Sequence, residues 1–163
     1  MTLGMEKIAI FVDVQNIYYT VRDGLQGNFD YNAFWAKVVN PNCEVIAAYA
    51  YAINRNDEKQ RQFQNILRGI GFEVKLKPYI SRQDGSTKGD WDVGITVDML
   101  ETSSNVDKLI LLSGDGDFDI LVKKLISKGK RVTVFGVPQL TAGSLIQAAS
   151  DFHAIDKSFL MKN

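Results

Sequence analysis

The chain has 163 residues, enough for one compact domain, expected over 1–163, and too few for two ordinary ones. With 45% apolar and 23% charged residues it can bury a core without staples, and its single Cys43 and single His153 exclude an intramolecular disulfide and a Cys/His zinc site. Nineteen basic side chains balance nineteen acidic ones, which excludes a protein that coats nucleic acid by bulk charge and shifts the weight to local patterning. The apolar run Ile8 to Val12 is only a strand's length, and no secretory pattern precedes it. A reducing, cytoplasmic setting without a membrane partner is expected.

Residues 7–13 form a nearly continuous apolar run ending in Asp13, as in a strand buried on both faces. Helical patterns follow over 17–25 and 31–39. Residues 44–53, rich in Val, Ile, Tyr and Ala, read as the second strand. Residues 56–70 form a polar helix with Phe63, Ile66, Leu67 and Ile70 at helical spacing, stopped by Gly69 and Gly71. Residues 72–80 alternate and read as the third strand, followed by a polar loop over 81–89. Asp90 then stands as the N-cap of a helix over 91–101. Residues 107–113 are the fourth strand, 118–128 an amphipathic helix closed by Gly129, and 131–137 the fifth strand. A short helix is expected over 141–149.

Alternating β and α segments with apolar strands predict an α/β fold, a parallel sheet with helices on both faces. In such folds ligands bind outside the carboxyl ends of the strands, where strand order reverses. Asp13 ends the first strand, and Ser113-Gly114-Asp115-Gly116-Asp117 ends the fourth. If those strands are neighbours, their acids share one crevice. Asp92, in the first turn of the helix before the fourth strand, points into the same volume if that helix starts on the same rim.

Two unit charges about 4 Å apart repel by roughly 4 kcal/mol at an effective dielectric of 20. Four carboxylates therefore either raise one another's pKa values or bind a divalent cation. An open, all-oxygen, acidic site suits Mg²⁺ or Mn²⁺. Such an ion activates water and offsets charge on a phosphodiester. Asn16, three residues after Asp13, has an amide suited to holding the attacking water or a phosphate oxygen, or else caps the following helix. Asp119 is the acid best explained by capping. Asp98 lies about 120° around the helix from Asp92 and ranks second among candidates.

Other motifs fail. The 114–119 segment matches only two glycines of a dinucleotide-binding fingerprint, and its acids would repel a pyrophosphate. An EF-hand register puts Ile120 and Ile126 where glycine and glutamate are needed. Among the basic residues, Arg82 and Lys88 are the expected phosphate contacts, because their loop leads to Asp92. Tyr18, Tyr19 and Trp91 flank the same rim and suit base stacking, with core packing expected for at least one.

Phe11-Val-Asp13-Val-Gln-Asn16, Lys88-Gly-Asp-Trp-Asp92-Val and Leu112-Ser-Gly-Asp115-Gly-Asp117-Phe118 together resemble the signature of the NYN domain family, in particular its LabA-like bacterial branch. The match continues to Gly129-Lys-Arg-Val-Thr-Val-Phe-Gly136 and spans most of the chain. The family is similar to PIN-domain nucleases. The resemblance implies a PIN-like, Rossmannoid three-layer α/β/α fold with a five-stranded parallel sheet in the order 3-2-1-4-5. It implies a Mg²⁺- or Mn²⁺-dependent ribonuclease whose metal ligands match Asp13, Asp92, Asp115 and Asp117. The family often has one small residue between Gly and Asp where this chain has Asp90 and Trp91, so Asp90 competes with Asp92 as the ligand.

The expected activity is hydrolysis of RNA, single-stranded before duplex, with Asn16 and Ser113 orienting water or phosphate and a homodimer left open. The rivals are a non-catalytic regulatory or RNA-binding NYN domain and a metal-dependent phosphatase. The haloacid-dehalogenase form of the latter needs a second acid two residues after its nucleophile, where Asp13 is followed by Gln15.

Overall fold

The run Ile8–Val12 has no exposed side chain, so the strand carrying it must have a helical layer on each face. In a computed structural model, which describes residues 4–78, 80–81, 87–88 and 90–162, that is where β1 (Glu6–Asp13) lies. It pairs in parallel with β2 (Cys43–Asn54) on one side and β6 (Lys108–Leu112) on the other. Outside β2 comes β3 (Glu73–Pro78); outside β6 come β7 (Arg131–Gly136) and β8 (Asp151–Ala154). A separate antiparallel pair joins β4 (Ile80–Ser81) to β5 (Thr87–Lys88).

The main sheet therefore runs β3-β2-β1-β6-β7-β8. Its first five strands follow the expected order, but the sheet has six strands and not five. The sixth escapes a pattern search for physical reasons. It is four residues long, carries Asp151 and His153, and sits at an edge where neither side chain is buried. Its backbone pairing with β7 makes it a strand, not an apolar pattern.

Alternate residues of the central strands feed two cores. Ile8, Ile10 and Val12 of β1 and Ile110 and Leu112 of β6 pack with α1 (Val14–Leu25), α2 (Tyr31–Val38) and α3 (Glu58–Ile70). Ala9 and Phe11 of β1 and Leu109 and Leu111 of β6 pack with α4 (Asp92–Thr102), α5 (Asp119–Ser127) and α6 (Gly143–Ala148). The strand period of two thus produces three layers.

Helix starts are set locally. Asp30 accepts a hydrogen bond from the Ala33 backbone N–H (3.1 Å), and Asp57 one from Gln60 (2.9 Å). α1 starts at Val14, directly after β1, so Asn16 lies inside its first turn and is not its N-cap. α4 starts at Asp92 with Trp91 in the cap position; Asp90 makes only a long contact of 3.4 Å to the Asp92 N–H. No helix among the described residues is long and apolar enough to cross a membrane.

Candidate metal centre

Strand order reverses between β1 and β6. The chain steps from β1 outward through β2 to β3, then returns to β6 and continues outward the other way. Val12 lies opposite Leu112, so Asp13 and Ser113 emerge side by side at the carboxyl ends. This is the crevice where a parallel sheet places its ligand.

Three of the four expected acids meet there. Asp92, Asp115 and Asp117 each present a carboxylate oxygen, and the three oxygens lie within 4.8 Å of one another. Asp92 comes from the first turn of α4, and Asp115 and Asp117 from the turn after β6. Between the two competing acids, Asp92 joins the group and Asp90 does not.

Asp13 sits behind this group. Its carboxylate accepts a hydrogen bond from the Ser113 hydroxyl (3.1 Å) and one from the Asn16 backbone N–H. The Ser113 hydroxyl in turn accepts from the Asp115 N–H (3.1 Å), so one buried oxygen ties the strand-end acid to the turn acid. The Asn16 side-chain oxygen accepts from the Gly114 N–H (2.9 Å), holding α1 to the same turn. Asp115 also caps the single 3₁₀ turn Gly116–Phe118 by accepting from the Asp117 N–H (2.9 Å). Capping, expected of Asp119, is thus done by Asp115; Asp119 is simply the first residue of α5.

The glycines make this turn possible. A Cβ on Gly114 would lie 2.6 Å from the Leu140 carbonyl oxygen, and one on Gly116 would lie 2.8 Å from Cβ of Ala142. The Gly114 carbonyl accepts from the Ala142 N–H (3.0 Å). The acidic turn therefore lies close on residues 140–142, backbone against backbone at Gly114 and against the Ala142 methyl group at Gly116.

The electrostatics follow from burial and crowding. Burial raises the Asp13 carboxyl to about 6, against the Ser113 and Asn16 hydrogen bonds, with a further push from the charges of Asp115 and Asp90. Burial also raises Asp92, to about 7, aided by a proton shared with Asp115 and by the charges of Asp115, Asp90 and Asp13. Near neutrality the cluster is short of positive charge. A proton or a divalent cation relieves it, and binding a cation releases the proton.

Other expected residues have different surroundings. Asp98 accepts from the Tyr51 hydroxyl (2.7 Å) and pairs with Lys75 (2.7 Å), and this network packs α4 onto β2 and β3. Sequence spacing does not reveal that partnership, because its members are 47 and 23 residues apart. Trp91 donates to the Ala52 carbonyl (2.9 Å), rests on the Tyr51 ring and carries Lys77 over its face at 4.5 Å. It is the packed aromatic of the three. Tyr18 and Tyr19 are exposed. Arg82 and the Lys88 side chain lie outside the described residues.

A six-stranded parallel sheet with aspartates gathered at its switch point defines a Rossmannoid acidic-site domain, and the sequence places it more closely. The NYN domain pattern matches residues 7–156, and the chain belongs to that family. It is 28% identical to the low amplitude and bright protein LabA of Synechococcus elongatus, over 99% of this chain and 91% of that protein. A crystal structure of a Vibrio parahaemolyticus protein of unknown function is 57% identical, covers 99% of both chains and superposes with a TM-score of 0.93.

Proposed function

We propose that the protein is a divalent-metal-dependent ribonuclease. The observation that carries this reading is the convergence of Asp92, Asp115 and Asp117, three carboxylate oxygens within 4.8 Å, at the switch point of an NYN domain. The donor set fits the ion: it is all oxygen, partly open to solvent, and contains neither histidine nor thiolate. Bound there, Mg²⁺ or Mn²⁺ would activate a water and offset negative charge on the phosphodiester.

The chain's own residues divide the remaining work. Asp92, Asp115 and Asp117 would hold the ion, with Asp13 as the fourth carboxylate behind them. Ser113 is buried with its hydroxyl engaged on both sides, which favours positioning Asp13 and Asp115 over touching substrate. Asn16 fixes the turn through its side-chain oxygen and offers its amide nitrogen to water or phosphate. Arg82 and Lys88 steady the phosphate backbone.

The test is incubation with single-stranded RNA, single-stranded DNA and a small phosphate ester, in Mn²⁺ or in EDTA, with Asp115→Asn in parallel. RNA cleavage that needs Mn²⁺ and Asp115 is expected. Activity that survives both EDTA and Asp115→Asn rejects the mechanism. Hydrolysis of the ester alone would instead mark a phosphatase, and binding of RNA without cleavage a non-catalytic NYN domain.

A further inference from the structure

On α1, Gln15, Tyr18, Tyr19 and Arg22 recur at i, i+3, i+4 and i+7, so they form one helical face, while Ile17 and Val21 are buried on the other. The face opens on a groove of about 570 Å³ between α1 and α3. It leaves two large rings in water, Tyr18 at 51% and Tyr19 at 38% exposure. The rings meet edge to face at 5.2 Å, and the Arg22 guanidinium lies 5.3 and 5.0 Å from their centroids. Across the groove stand Arg55 and Lys59, and Asp57, the one acid among the described residues that line it, caps α3. The groove comes up to Asp13: Val14 and Gln15, directly after it, line the groove, and Tyr31, another lining residue, feels the Asp13 charge.

We propose that this groove is the track by which a single-stranded RNA reaches the acidic centre. The occupant rests on the ribonuclease reading above; the groove's part in binding is tested apart from cleavage. The lining suits a nucleic acid, and its rings select a single strand. The cations suit a phosphate backbone. The exposed rings suit unpaired bases, which have free π-faces, whereas a duplex keeps its bases stacked on one another. The helix rises about 12 Å from Val14 to Arg22 at 1.5 Å per residue, long enough for a short stretch of strand to lie along it.

The experiment measures binding of a short labelled single-stranded RNA to the full chain by fluorescence anisotropy in EDTA, where no metal-dependent cleavage occurs. The double variant Tyr18→Ala/Tyr19→Ala is expected to weaken binding by at least about fivefold for each stacking contact removed. Tyr18→Phe/Tyr19→Phe keeps the rings and is expected to bind within about twofold of wild type, since stacking needs only the aromatic face. Lys124→Ala, on α5, is expected to change nothing. Unchanged affinity in the alanine variant overturns the proposal, and so does equal loss in the phenylalanine variant. A changed oligomeric state in the alanine variant at constant RNA affinity would make the face a contact between copies, again overturning it. Metal-dependent cleavage with tyrosine-independent binding sinks the groove alone. Tyrosine-dependent binding without any cleavage sinks the nuclease alone.

Discussion

Asp13→Asn should make the metal-free protein more stable at pH 8. In the folded chain burial lifts Asp13 from its ordinary 3.8 to about 6. A carboxyl raised in this way holds its proton more firmly when folded. The stability it contributes is fully present below 3.8 and is lost as pH rises through about 6. Above that value the buried charge stands as a standing cost. At 1.36 kcal/mol for each tenfold change in proton affinity, the gap from 3.8 to about 6 amounts to about 3 kcal/mol. Asparagine is neutral, and its side-chain oxygen still accepts from Ser113 or Asn16. For a domain of this size about 3 kcal/mol raises the melting temperature by roughly 6–12 °C. The assay is thermal unfolding by circular dichroism in EDTA at pH 8 and at pH 4. The gain should be present at pH 8 and nearly gone at pH 4. Added Mn²⁺ should stabilise wild type more than the variant, because the ion binds the folded cluster that the variant weakens. An Asp13→Asn protein no more stable than wild type in EDTA at pH 8 would refute the account of a buried, mutually repelling cluster.

Further perturbations test the parts around it. Gly114→Ala places a Cβ 2.6 Å from the Leu140 carbonyl oxygen, so about 1–3 kcal/mol of stability should be lost in chemical denaturation, together with weaker Mn²⁺ binding by calorimetry. Ser113→Ala leaves the Asp115 N–H without its acceptor and removes one donor from Asp13. It should cost about 1–3 kcal/mol, and a smaller effect in urea unfolding would mean that water replaces the hydroxyl. Asp98→Asn removes the counter-charge of Lys75 and should destabilise by about 1–3 kcal/mol while Mn²⁺-dependent RNA cleavage at saturating metal stays near wild type. Loss of cleavage in a still-folded Asp98→Asn protein would place that acid in the chemistry.

How far the sequence discloses this site depends on whether a role is local. Asp13 and Asp115 are legible because an apolar strand ending in an acid has one sensible place in a parallel sheet. Asp92 is legible as a first-turn acid, but choosing it over Asp90 needs the true start of α4, one residue later than the pattern suggests. The Ser113 bridge is not legible, since a serine after a strand looks the same whether its hydroxyl faces solvent or the gap between two acids. The Tyr51–Asp98–Lys75 network joins three elements and has no sequence period. β8 is recognised only by its pairing. The α1 face is a middle case: its spacing is visible in the sequence, yet its direction depends on α1 beginning directly at the end of β1.

The close seating of Gly114 and Gly116 on residues 140–142 has a consequence for how variation in this protein should be interpreted. Only the Ala142 methyl group and the Thr141 hydroxyl face the two glycines from that segment, so no long side chain is there to absorb displacement. A small shift in the β7–α6 connection is therefore passed on whole to Asp115 and Asp117, as through a rigid backing plate. Substitutions at Leu140, Thr141 or Ala142 should weaken Mn²⁺ binding as changes to the acids themselves would, although none of the three carries a charge. In this domain the outline of the acidic site is drawn by close packing, and it extends into the last quarter of the chain.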